Sequence, residues 1–205
     1  LSKLRKGVVK NILLELSRIY PGVITVDGEW MHNFTGGAFF DIYMGACSLN
    51  EYIIFDYSGN GTEGYTGSFG LEIYDFILDG EIVNFYPGEM VRNIFRPGSY
   101  TYHDKKMHNG FKATEDTLLF EYGRGNMMDA IKVGVLATYK NRLLEKEQID
   151  KQLKTCMGMV FGHVRARHKL VKQKQARIKK EMENGWQFPD FNLNIQPPAH
   201  EFIKD

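Results

Sequence analysis

The sequence predicts a mainly β chain of the α+β class: a β-barrel or sandwich with one helix before it and helices after it. Three observations carry this. Between residues 47 and 125, short β-branched and aromatic runs alternate with glycine and proline turns about every ten residues. An amphipathic stretch at 3–20 precedes them, and a long stretch almost without breakers, Met127 to Asn184, follows. The chain has 205 residues, 43% of them hydrophobic and 13% aromatic, enough for a packed core. The net charge of +1 implies neither nucleic acid nor an acidic partner.

In the N-terminal stretch Val9, Ile12, Leu13, Leu16 and Tyr20 recur at helical spacing, and Pro21-Gly22 stops the helix. Trp30 to Ala46 reads as short helix or strand pieces. Strands are expected at Tyr52–Phe55, Ile82–Tyr86, Val91–Phe95, Ser99–His103 and Thr117–Tyr122, punctuated by turns such as Pro87-Gly88, Pro97-Gly98 and Asn109-Gly110. Phe69 to Leu78 interrupts them with the helix-like spacing of Leu71, Tyr74, Ile77 and Leu78. Two or three helices are expected over 126–184, and Pro189, Pro197 and Pro198 mark 185–205 as an extended tail.

No segment reaches the roughly 18 apolar residues of a bilayer span. The chain starts at Leu1 rather than Met, so an upstream anchor is not visible in it. A cytoplasmic or peripheral membrane location is expected. Cys47 and Cys156, far apart in sequence, read as free, inert thiols. The histidines offer no HxH pair and the glycine-rich GNGTEGYTG lacks the GKS/T ending of a phosphate loop, so neither a metal nor any other cofactor is expected. Residues 165–180 hold eight Lys or Arg; a solvated helix face, an anionic membrane surface and nucleic acid are the readings in order.

Five motifs occur in order: SLNEYIIF (48–55), GNGTEGYTG (59–67), EIYDFILDGE (72–81), FRPGSYTYH (95–103) and LLFEYGRG (118–125), with LELSRIYPG (14–22) upstream. Together they resemble the family that contains the fungal sterol isomerase, which shifts a ring double bond from carbon eight to carbon seven, and the animal sigma non-opioid receptor. The resemblance covers about residues 10–125. It implies a cupin-like β-barrel over 1–125 with a hydrophobic ligand buried inside, a helical region over 126–184 packing on it, and a homotrimer. It places two acids in the barrel, Asp75 and Glu121, with Tyr52 and His103 on pocket positions and Glu51 and Arg124 on structural ones. Glu72, in the same motif as Asp75, is carried as a ligand-binding position. Three departures stand out. Tyr65 replaces a His of the fungal enzyme. Asp56 stands where the family carries Phe. The family's apolar C-terminal segment is replaced by KNRLLEKEQIDKQLK (140–154) and the basic helix.

These residues suit one chemistry. Moving a double bond needs a proton delivered to one carbon and removed from another, with a carbocation between and water kept out. An ordinary carboxylic acid is ionised at neutral pH, but burial and a neighbouring carboxylate raise its pKa. Asp75 and Glu121 thus divide into acid and base, and the faces of Tyr52, Tyr65, Phe69, Phe39 and Phe40 are candidates to stabilise the cation. The expectation is a cofactor-independent isomerase or proton-initiated cyclase acting on a sterol-like or isoprenoid substrate. The alternative is a non-catalytic module in which Glu121 pairs the amine of an amphiphilic ligand; a scaffold is a third reading. Strand alternation adds that if Tyr52 faces inward, so do Ile54 and Asp56. Asp56 is then a third pocket acid; otherwise it caps the turn before Ser58-Gly59. Glu63, in the glycine-rich loop, reads as exposed.

Overall fold

The computed structural model describes residues 2–183. Helix α1 (Lys3–Ile19) starts where the Ser2 hydroxyl accepts from the Arg5 amide at 3.3 Å. Its apolar stripe buries Val9 and Leu13 against Tyr43, Phe55 and Leu118. The approach is close enough that a Cβ on Gly45 would lie 2.7 Å from Leu13 Cδ2. Gly45 is also where the register between neighbouring strands slips by one residue, a bulge that leaves room for the helix. Arg5 secures the start of α1 through Asp79 (2.7 Å) and Asp116 (3.2 Å).

Ten strands follow. β1 (Trp30–Thr35) and β2 (Ala38–Cys47) form a hairpin through Gly36-Gly37, both at positive φ, the pair a two-residue turn of this hand requires. The others are β3 (Glu51–Tyr57), β4 (Thr62–Tyr65), β5 (Leu71–Asp79), β6 (Ile82–Phe85), β7 (Asn93–Phe95), β8 (Tyr100–His103), β9 (Gly110–Ala113) and β10 (Leu118–Gly125). They make a six-stranded sheet in the order β1-β2-β3-β10-β5-β8 and a four-stranded sheet in the order β4-β9-β6-β7, with antiparallel pairing throughout. The core lies between them: Phe40, Ile42, Ile77 and Leu119 of the larger sheet pack with Ile82 and Ala113 of the smaller. The expected barrel is thus two facing sheets, not a hydrogen-bonded closed cylinder.

Phe69 to Leu78 is not helical. Leu71 to Asp79 is strand β5, apolar on both faces. Ile73 and Ile77 point inward. On the outer face the Tyr74 ring lies tilted against Tyr102 (4.9 Å between centroids), Phe76 lies tilted against Tyr100 and Phe120, and Leu78 packs beneath α1. Two apolar faces hide the period of two that marks a half-buried strand.

After β10 the chain turns helical: α2 (Met127–Ala130), a π-helical segment (Ile131–Leu136), α3 (Ala137–Lys140) and α4 (Lys146–Glu183). The Thr138 hydroxyl donates to Phe34 O on β1 at 2.7 Å, and Gln152 of α4 donates to His32 O at 2.6 Å. Cys47 and Cys156 are not free: they form a disulfide, with 5.2 Å between Cα atoms and a sequence separation of 109. Closing so long a loop removes chain entropy from the unfolded state, worth up to about 4–5 kcal/mol. The cysteines meet because the end of β2 and the α4 turn at 156 share one apolar cluster with Met159 and Val160. Residues up to Ala166 form one compact unit. Described by itself, Arg167 to Lys180 is helix with exposed side chains. The expected tail at 185–205 lies outside the described residues. Among the described residues no helix is long and apolar enough to cross a membrane.

Candidate functional site

Strand alternation aims a set of side chains at the space between the sheets. β3 contributes Tyr52, Ile54 and Asp56; β10 contributes Leu119 and Glu121; β5 contributes Ile73 and Asp75; β8 contributes His103. Across from them stand Ile82 and Asn84 of β6 and Phe111 of β9. Ala130 of α2, Ile131 and Val135 of the π-helical segment and Leu153 of α4 complete the wall. The cavity so formed is about 210 Å³. Its described lining residues include no Lys or Arg.

Register puts the acids together. Glu121 lies directly opposite Asp75 on the adjacent strand, with about 5 Å expected between their Cβ atoms. Asp56 lies opposite Leu119, two residues along β10 from Glu121, or about 7 Å along the floor. The Tyr52 hydroxyl donates to Glu121 Oε1, which leaves Oε2 to carry a proton. Asp75 Oδ2 accepts from the Thr101 hydroxyl at 3.0 Å and lies 3.2 Å from His103 Nε2, while Asp75 Oδ1 is buried and unpartnered. Burial pushes the Glu121 carboxyl well above the usual carboxylate range; the charges of Asp56 and Asp75 push it further, and the Tyr52 hydrogen bond pulls the other way. Burial, and then the charge of Asp75, pushes Asp56 up likewise. Tyr52 is held in its neutral form by burial and by the Glu121 charge.

These shifts have a consequence for stability. Above about pH 4 the unfolded chain has lost the protons of Asp56 and Glu121, whereas the folded chain still holds them. Stability from these two groups is therefore greatest at the acid end. It falls as pH rises from about 4 to the folded-state pKa values, by up to about 1.4 kcal/mol per pH unit for each group. Other carboxylates, such as Asp116 beside Tyr57 and Arg5, are shifted the opposite way and mask part of the trend. Urea unfolding of wild type and Glu121→Gln across pH 4 to 8 isolates the effect: the variant's stability should decline less with rising pH. Parallel curves would contradict the raised Glu121 pKa.

The structure brings together Asp75, Glu121, Asp56, Tyr52, Ile54, Tyr65, Phe69 and His103. Asp56 lies within β3, one residue before its end, is 4% exposed, and is not a turn cap. Glu72 is not a pocket residue. Alternation from Asp75 puts it on the outer face of β5, where it pairs with Arg124 (2.6 Å) and Lys105 (3.4 Å). Phe39 is outside as well, 42% exposed against His32; its neighbour Phe40 faces in. Glu51 accepts from the Tyr122 hydroxyl at 2.7 Å outside the cavity. Glu63 is exposed and lies 4.0 Å from Lys112. Sequence reasoning missed Thr101 and Asn84. Thr101 is legible in hindsight as the same-face neighbour of His103 in YTYH. Asn84 is a polar residue at an inward position of IVNF.

Comparison with known proteins supplies three further findings. The family model for "ERG2 and Sigma1 receptor like protein" matches residues 2–184. The C-8 sterol isomerase ERG2 of Gibberella zeae is 34% identical over 120 residues, covering 58% of this chain and 51% of that protein. Sigma non-opioid intracellular receptor 1 of Gallus gallus is 29% identical over 117 residues, covering 56% of this chain and 53% of that one. The chain spans about half the length of these curated relatives. Among solved structures, KdgF from Halomonas sp. superposes with a TM-score of 0.44 at 15% identity, over 53% of this chain and 97% of that one.

Proposed function

This chain belongs to the family described as ERG2 and Sigma1 receptor like protein, and we propose that it is a cofactor-independent isomerase that moves a carbon–carbon double bond in a sterol-like or isoprenoid substrate. The observation that carries this reading is the register that sets Asp75 opposite Glu121 on the cavity face of adjacent strands. Glu121, kept protonated by burial, is the acid. Its Oε2 proton goes to one carbon of the double bond, whose π electrons form the new C–H bond, and the neighbouring carbon becomes cationic. Asp75, oriented through Oδ2 by Thr101, accepts a proton from the carbon on the far side of the cation. The electrons of that C–H bond become the new double bond, so the substrate keeps its composition and the site has moved one proton from Glu121 to Asp75. Solvent exchange resets the pair. The rings of Tyr52, Tyr65 and Phe69 stabilise the cation through their π faces, and the apolar wall keeps out the water that would trap it.

The test is isotopic. A sterol with its ring double bond at carbon eight, incubated with the protein in heavy water, should be recovered isomerised with deuterium at the protonated carbon. Unchanged, unlabelled sterol would overturn the reading.

A second reading rests on the absence of Lys and Arg among the cavity's described lining residues. A carboxyl group in such a site is a partner for a ligand ammonium, and Glu121 then holds an amphiphilic amine without turnover. That protein would bind the amine and leave the sterol unlabelled. Disulfides persist in oxidising compartments, so the Cys47–Cys156 bridge supports an oxidising compartment over the cytoplasm.

A further inference from the structure

The chemistry just described ends with a proton gained by Asp75 and one lost by Glu121, and it leaves a buried titratable side chain without a task. His103 is 7% exposed and lines the cavity. Its Nε2 lies 3.2 Å from Asp75 Oδ2 and 3.2 Å from the Thr101 hydroxyl, which itself donates to Asp75 Oδ2 at 3.0 Å. Its Nδ1 is buried and makes no hydrogen bond. Thr101 and His103 stand two apart on β8 and so share a face, which brings both to one carboxylate. β8 is the outer strand of the larger sheet, and His103 is its last residue, followed by exposed Asp104, Lys105 and Lys106. The imidazole thus touches the cavity carboxylate from a strand that ends at the margin of the sheet.

We propose that His103 is the proton outlet of Asp75. The inference rests on the proton-transfer reading and adds how the pair is reset. Two routes are open to the proton that Asp75 takes from the substrate: straight back to Glu121 on the adjacent strand, or out to solvent. Product still held against both carboxyl groups obstructs the first, whereas His103 reaches Asp75 from the strand on its other side. A threonine hydroxyl does not ionise near neutral pH, but an imidazole takes a proton on one nitrogen and gives one up from the other. The proton arrives on Asp75 Oδ1, the oxygen without a partner. A half-turn of the carboxyl group, about a torsion that is broad and two-fold for aspartate, carries it to Nε2. The O–H bond breaks and an Nε2–H bond forms, leaving aspartate and imidazolium. The imidazolium gives its Nδ1 proton to water and regains its starting tautomer by exchange with the same water. Glu121 takes a proton from the water that follows the product out, so the charge of the site is unchanged over the cycle. His103 acts through Asp75 and not on the substrate, as a positioning residue for the departing proton.

The experiment follows a label from one substrate molecule to the next. Unlabelled sterol and sterol carrying deuterium at the carbon that loses its proton are incubated together with the full chain in ordinary water. In the wild type the deuterium leaves through His103, and little of it appears at the newly protonated carbon of any product. In His103→Gln the amide still donates to Asp75 Oδ2 but cannot carry a proton, so the deuterium returns to Glu121 and is delivered to the following molecule. Deuterium gained by initially unlabelled sterol should rise about tenfold or more, the scale of a lost proton-transfer group. A histidine that only oriented Asp75 would be replaced by the glutamine amide with no such transfer. His103→Ala, which leaves room for imidazole added to the buffer, gives a second readout: label transfer should appear in the variant and subside with imidazole. Thermal melting reports that the variants fold, and either one serves if the other does not. Label transfer in a folded variant equal to that in the wild type, or transfer in His103→Ala that imidazole leaves unchanged, would overturn this inference and leave the isomerase standing. A wild type that isomerises neither sterol would overturn the proton-transfer reading and this inference with it.

Discussion

Glu121→Gln is expected to lower the rate of deuterium incorporation into a sterol by about 10²–10⁴-fold, the usual contribution of a positioned acid, while leaving the fold intact. The substitution is nearly isosteric. The amide oxygen that it introduces can still accept from the Tyr52 hydroxyl as Glu121 Oε1 does, so no donor is orphaned. What is lost is the transferable proton. Because the carboxyl group is buried with Asp56 and Asp75 nearby, the amide also removes a charge that is costly to create above neutral pH, so stability there should hold or rise. The same variant separates the second reading: ammonium binding that depends on a desolvated charge pair weakens by about 2–5 kcal/mol when one partner is neutralised. Circular dichroism and the labelling assay together check this. A folded variant with undiminished labelling would remove Glu121 from the chemistry.

Gly123→Ala is expected to damage stability and site at once. Gly123 is the register partner of Tyr52, and the Tyr52 ring lies across it. A Cβ at Gly123 would fall 2.1 Å from Tyr52 Cε1 and 2.3 Å from Cζ. The ring, only 8% exposed, has to leave its place, a clash worth about 1–3 kcal/mol or more, and its hydroxyl then leaves Glu121. A double-mutant cycle gives the check. Tyr52→Ala removes the obstacle, so Tyr52→Ala combined with Gly123→Ala should be more stable than the sum of the single losses predicts, by about 1 kcal/mol or more. Additive losses would mean that the two residues do not share the space. Labelling should fall in Gly123→Ala although no carboxyl group has been altered.

Much of this arrangement was legible in the sequence, and the misses have physical causes. The acids were found through motif order, and Asp56 through the period of two that runs from Tyr52. Glu72 and Phe39 were misassigned because a motif or an aromatic pair says which segment lines a cavity, not which face; one residue of register separates Glu72 from Ile73 and Phe39 from Phe40. β5 read as a helix because its outer face carries aromatic ring contacts and the contact with α1, leaving no polar alternation to see. Strands β4 and β9 were not anticipated: each is four residues long and holds a glycine, so turn signals outweighed them. The disulfide depended on tertiary proximity across 109 residues, which no local pattern encodes. Asn84 could not be singled out, since its significance lies in having no partner.

The proposed proton transfer requires Glu121 to sit in a dry cavity facing other carboxyl groups. Carbon-13 NMR of protein labelled at the glutamate carboxyl carbons, titrated through pH 3 to 9, tests it most directly. One resonance, missing in Glu121→Gln, should titrate well above the ordinary glutamate value of about 4.3. If the resonance that Glu121→Gln removes titrates near that ordinary value, the side chain is in water, and the acid on which the proposed proton transfer depends is not there.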